Sequence, residues 1–211
     1  NAYGTELFWP FSRKKFTVNM IMLADPAILL LFLSGITVGI MKPDLAFPST
    51  LAALCLSILY VSLKEWSRRQ TKRLIARVYK VNRHDIRVIP AMYKPFSWNF
   101  LILHPHHVRF GVVRNQQPVV KKTLPMWSHS DPRVALAMEG TVADIFRKFT
   151  PYYHVIPHYG RYGATIRFVD LRYWVKDDFL YQGQVFLDRN GKIAREVFSW
   201  KAQNGSVVAG Y

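Results

Sequence analysis

An aspartate followed directly by a proline, Asp25-Pro26, stands at the mouth of a long uncharged apolar run, where the chain first offers chemistry. A carboxylate beside a membrane is costly unless it is paired, coordinated or held at head-group level, which makes Asp25 a candidate functional residue. The same dipeptide is also a common helix start, because Asp accepts a free N–H and Pro fits the first helical position. Two readings of Asp25 therefore stand: capping alone, and capping with a site role. His104-Pro105-His106-His107 is the densest histidine cluster. Imidazoles this close suit Zn or Ni, but no Cys or second His pair lies at ligand spacing, and a turn between strands is the favoured reading. His154 and His158 lack the helical geometry that would make them face each other, since Pro157 stands between them, and they read as surface or edge residues. Ser128-His129-Ser130-Asp131 holds the residue types of a hydrolase triad, but triad members come from separate segments, so it reads as a loop ending in an Asp131 cap. Asp170 and Arg172 alternate with Val169 and Leu171 on a predicted strand, which puts both on one face as an ion pair or, alternatively, a ligand-reading surface.

The elements that must carry these residues fall into two regions. Ala27 to Met41 carries no charge, and with Met20-Ile21-Met22-Leu23 in front it reaches bilayer-spanning length at ~1.5 Å per residue. Leu45 to Leu63 is again uncharged. Arg13-Lys14-Lys15 precede the pair, and Lys64, Arg68, Arg69, Lys72, Arg73, Arg77 and Lys80 follow it, while the loop Lys42-Pro43-Asp44 holds one charge of each sign. Two spans return the chain to its starting side, so both basic clusters fit a cytoplasmic face. The alternative is a pair of buried core helices. Asn1 to Ser12 supplies Phe8, Trp9 and Phe11 as interfacial anchors, and a basic helix is expected to run out of the membrane to about Tyr79, its cations either contacting head groups or simply solvated.

Beyond Asn82 the pattern changes to short β-rich runs between polar turns. Strands are predicted at Ile86–Pro90, Trp98–Leu103, Val108–Val113, His154–Pro157, Ala164–Trp174, Leu180–Leu187 and Ile193–Trp200. One helix is predicted from the Asp131 cap and Pro132 to the break at Pro151, and Asp188-Arg189-Asn190-Gly191 reads as a hairpin turn in which Asn and Gly tolerate positive φ. The expected fold class is a membrane α-helical hairpin followed by a soluble α+β domain with a mainly antiparallel sheet. The expected domains are a membrane segment over residues 1–80 and a cytoplasmic domain over 81–211.

The chain has 211 residues, and 29 Lys plus Arg against 13 Asp plus Glu give a formal charge of +16, spread over both regions. No helix-turn-helix, zinc-finger spacing or aromatic ribonucleoprotein motif is present, and cations facing anionic lipid account for the first region, so nucleic acid is not an expected partner. The lone Cys55 excludes an intrachain disulfide. Neither an initiating Met nor the order of a signal peptide opens the chain, which reads as the C-terminal portion of a longer protein.

Asn1-Ala2-Tyr3-Gly4-Thr5, then Pro10-Phe11-Ser12, then Asp25-Pro26 resembles a family of bacterial inner-membrane proteins, the membrane-bound metal-dependent hydrolases. Phe149-Thr150-Pro151, Ile166 to Tyr173 and Val185-Phe186-Leu187-Asp188 look like the C-terminal domain of one branch of it. The resemblance implies a multi-pass inner-membrane enzyme with a divalent metal ion of unknown identity, whose His and Asp ligands lie mostly upstream of this chain. It implies that Asp25, and conceivably Asn1 and Thr5, sit where the metal site would be completed, with Asp25 the candidate catalytic residue as a ligand or an orienting carboxylate for a metal-activated water. The competing class is a non-catalytic membrane-anchored interaction or regulatory domain. Under either reading the partners are the lipid bilayer and its anionic head groups.

Overall fold

The computed structural model describes residues 10–12, 25–91, 94–127, 131–161, 163–175, 177–200 and 205–208. A helical region comes first and an α/β region with antiparallel sheets follows. The chain forms two compact units, residues 1–100 with 113–118, and residues 101–112 with 119–211.

In the first unit, α1 (Pro26–Met41) begins as the Asp-Pro pair predicts, with the Ala27 N–H donating to Asp25 Oδ1 at 3.2 Å. Lys42 ends it, and one 3-10 turn, Pro43–Leu45, reverses the chain into α2 (Ala46–Tyr79). The second apolar segment and the basic segment after it are one continuous helix of 34 residues, ~51 Å long at 1.5 Å per residue. The stretch Pro43–Tyr79 is long and apolar enough to cross a membrane by length and composition; α1, at 16 residues, is shorter. Small residues let the two helices approach. A Cβ on Gly35 would lie 3.2 Å from Ala53 Cβ, one on Gly39 would lie 3.3 Å from Ala46 Cα, and Ser49 Oγ donates to the Gly35 carbonyl at 3.1 Å. Left-handed Lys80, φ 52°, stops α2 where the change of pattern begins.

Strands β1 (Ile86–Pro90), β2 (Trp98–Leu103), β3 (His107–Arg114) and β4 (Gln117–Pro125) form a sheet in chain order. β4 is missing from the sequence-based expectation; it carries Pro118 and Lys121-Lys122. It lies last in the sheet order, and an edge strand tolerates both residue types. Asn115 and Gln116, φ 48° and 61°, make the tight turn between β3 and β4.

In the second unit, β5 (Tyr153–Gly160), β6 (Gly163–Asp170), β9 (Tyr181–Leu187), β10 (Ile193–Trp200) and β11 (Gly205–Val208) form an antiparallel sheet of order β11-β10-β9-β6-β5. The predicted strand Ala164–Trp174 ends early, at Asp170; β7 (Trp174–Val175) and β8 (Asp178–Phe179) then pair as a separate ribbon. The single predicted helix is also corrected. It breaks at Gly140, φ −73° and ψ 166°, into α3 (Pro132–Glu139) and α4 (Thr141–Phe149). Glycine weakens a helix interior by about 1 kcal/mol relative to alanine, and here the Glu196 carboxylate of β10 accepts from the Thr141 and Val142 N–H groups at 3.1 and 3.3 Å. A second helix start is thereby capped by a residue far along the chain.

Both helices cover one face of this sheet. Alternation puts Ala164, Ile166 and Phe168 of β6 and Val185 and Leu187 of β9 into a core with Val134, Ala137, Val142, Ala143 and Phe146. One rung aligns Val155, Phe168, Gly183 and Phe198. Gly183 is the gap in that rung which admits α4: a Cβ there would collide with Val142 Cγ1 and lie 2.9 Å from Phe146 Cε2. Gly183→Ala is expected to destabilise the chain by about 1–3 kcal/mol through overpacking. Urea unfolding reads this, and an unchanged midpoint would mean that α4 does not press on the rung.

Candidate functional site

Asp25 lies against α2, not in an open site. Lys64 Nζ sits 2.8 Å from Asp25 Oδ2, with the two side chains only 2 and 4% exposed. The Tyr60 hydroxyl donates to Oδ1 at 3.0 Å, and the Ala27 N–H uses the same oxygen. Tyr60 and Lys64 are one helical turn apart, and the antiparallel course of the helices brings both to the start of α1. The carboxylate is thus surrounded by donors and one cation. Lys64, which the sequence places among the head-group cations, is buried. Among the described residues no group of three or more His, Cys, Asp or Glu converges. Asn1, Thr5 and the Ser128-His129-Ser130 segment lie outside the described residues.

A cavity of about 530 Å³ opens along the outer half of α2 in the first unit. Trp66, Gln70, Arg73 and Arg77 recur on one helix face and line it. Phe96 and the β3–β4 turn at Asn115-Gln116 close it, and Trp98 forms a buried wall, its indole N–H donating to Ser67 Oγ at 3.0 Å. Phe96 also meets Tyr60 edge to face, with centroids 5.7 Å apart, so the cavity rim adjoins the buried ion pair. Arg68 and Arg69 are both held by Glu65, at 2.7 and 2.6 Å. Arg73 and Arg77 have no acidic partner among the described residues. The arrangement can bind an anion that also carries an apolar part. Sequence reading gave the cations but not the cavity, because its far wall comes from β2 and the β3–β4 turn.

The second unit buries one charged pair. Asp170 and Arg172, 0 and 1% exposed, form a buried pair: Arg172 Nε lies 3.0 Å from both carboxylate oxygens, and Nη2 lies 2.6 Å from Oδ2. Thr150 Oγ1 donates to the same carboxylate at 3.3 Å. The expected ion pair is present, but its geometry is corrected: Arg172 follows the end of β6 and folds back, so strand alternation does not align the two residues. Asp131 caps α3 through the Arg133 N–H at 2.9 Å and also accepts from the Tyr159 hydroxyl, a bond that holds its carboxyl below the usual range. Lys122 pairs with Asp178 at 3.3 Å over the Trp174 ring.

The histidines separate. His104 and His107 stack with centroids 4.4 Å apart across the β2–β3 turn, and neither Nε2 has a hydrogen-bond partner among the described residues. Burial, with His104 and Arg109 beside it, pushes the His107 pKa down. Two imidazoles supply half a metal-ligand set. His154 stands on β5, the edge strand of its sheet, as one of the two expected placements has it, but it is 3% exposed and not on the surface, and its Nε2 is 2.9 Å from the Pro125 carbonyl. Burial pushes its pKa below the ordinary value, outweighing that hydrogen bond. The unfolded chain therefore takes up this proton first as pH falls through about 6.5, and the stability contributed by neutral His154 is present above that pH and lost below it. Between about pH 7.5 and 5.5, wild type is expected to lose more stability than His154→Gln in urea unfolding. Equal losses would contradict a buried neutral imidazole.

Nothing among curated proteins or solved structures matches the chain. A family model does match, described as the YfhP C-terminal alpha/beta plait domain, over residues 132–206. That match overturns the resemblance to membrane-bound metal-dependent hydrolases, which nothing in the comparisons indicates. The motifs that carried the resemblance in this region, Phe149-Thr150-Pro151, Ile166 to Tyr173 and Val185 to Asp188, fall inside the matched domain. Packing accounts for them: Thr150, Asp170 and Arg172 build one buried network, and Ile166, Phe168 and Val185 are core. From α3 into β11 the chain is similar to the YfhP C-terminal alpha/beta plait domain.

Proposed function

We propose that this chain is a non-catalytic, membrane-anchored binding module: α1 and the apolar half of α2 cross the bilayer as a hairpin, and the basic half of α2 presents the C-terminal domain at the cytoplasmic surface. The observation that carries this reading is the uncovered apolar surface of both helices. Leu29, Leu30, Leu33, Ile36, Ile40 and Met41 on α1, and Phe47, Ile58 and Leu59 on α2, are 54 to 78% exposed. Large apolar patches of this kind mark a membrane or partner surface. The hairpin lays its polar groups out accordingly: the small residues and the Asp25–Lys64 pair face inward, where an ionisable group in a membrane segment is tolerated. The excess of Lys and Arg after Leu63 favours a cytoplasmic exit.

The full chain, expressed in a bacterium, is expected to stay in the membrane pellet after alkaline carbonate extraction. Release into the supernatant would show that the apolar faces bind something other than lipid and would sink the proposal.

A further inference from the structure

We infer that the cavity on the outer half of α2 holds the phosphate head group of an anionic glycerophospholipid drawn from the leaflet through which α2 leaves. The inference rests on the reading of α2 as a bilayer span. Charge is the first argument. Arg73 and Arg77 stand one turn apart on the cavity wall without an acidic partner among the described residues, whereas the neighbouring Arg68 and Arg69 share Glu65. Two guanidinium forks match the geometry of a phosphate better than ammonium groups would.

Depth is the second argument. The uncharged run ends at Leu63, so Trp66 lies ~4.5 Å and Arg73 ~15 Å further along the helix axis. Side chains on a helix lean toward its N-terminus, here back toward the bilayer, which brings the Arg73 guanidinium nearer the head groups. The third argument is the mixed lining. Trp66 and Phe96 are 63 and 50% exposed at the rim, suited to the glycerol and first acyl carbons, while Gln70 and Asn115 offer amides to the phosphate ester. A free inorganic anion would need none of this apolar surface.

The test uses the full chain, delipidated in a non-ionic detergent and titrated with dioctanoyl-phosphatidylglycerol, dioctanoyl-phosphatidylcholine or inorganic phosphate. Saturable binding of the phosphatidylglycerol is expected, and Arg73→Ala with Arg77→Ala is expected to weaken it about tenfold or more. The charge-matched pair Lys192→Ala with Arg195→Ala should leave it unchanged. Gln70→Glu, which keeps both arginines and adds a carboxylate beside them, should also weaken it. Equal affinity in wild type and the arginine variant, or equal competition by inorganic phosphate, would overturn the inference. A titration in detergent does not require a bilayer, so loss of carbonate resistance with lipid binding intact would refute the span, and the reverse would refute the cavity's occupant.

Discussion

Lys64→Met is expected to destabilise the chain by about 3–5 kcal/mol, because it leaves Asp25 buried without its cation. Among the described residues Asp25 then keeps the Tyr60 hydroxyl and the Ala27 N–H, two neutral donors for a full negative charge in a site 4% exposed. Asp25→Asn should cost a comparable amount for the opposite reason: asparagine still caps α1, but Lys64 is stranded. The double variant Asp25→Asn with Lys64→Met should recover most of either loss, since a buried ion pair replaced by neutral groups is often close to neutral overall. Thermal unfolding in mild detergent, analysed as a double-mutant cycle, measures the coupling. Additive losses would mean that the two side chains do not depend on each other.

Arg172→Ala should be as damaging to the C-terminal domain, by about 3–5 kcal/mol, because Asp170 is completely buried and depends on that guanidinium. Arg172→Lys tests the geometry separately from the charge. A lysine cannot reproduce the fork that spans both carboxylate oxygens, nor the stacking over Phe149 and Tyr173, each about 5.1 Å from the guanidinium carbon. The lysine variant is therefore expected to remain well below wild type in urea unfolding. Full recovery by lysine would reduce the pair to simple charge balance.

Local patterns carried much of this fold into the sequence. The Asp25-Pro26 and Asp131-Pro132 starts, both apolar helices and most strands are visible because caps and alternation act within a few residues. What escaped notice depends on distant partners. Lys64 looks like a surface cation until antiparallel packing sets it beside Asp25. Gly140 looks like a tolerable interruption until Glu196 caps the helix after it. The cavity on α2 is invisible for the same reason, since its cations and its opposite wall come from different elements. The hydrolase resemblance rested on short motifs in succession, and those in the C-terminal domain prove to be its packing network.

In the proposed topology the hairpin crosses the bilayer with both basic ends on the cytoplasmic side. Cys55 is the lone cysteine, so a Cys55→Ser background carrying either Lys42→Cys in the helix connection or Asn190→Cys in the C-terminal domain gives two unambiguous reporters. On intact cells a membrane-impermeant maleimide is expected to label the Lys42→Cys protein and to reach the Asn190→Cys protein only after the membrane is opened. Labelling of both before opening, or of neither Lys42→Cys nor Asn190→Cys until then, would contradict the hairpin.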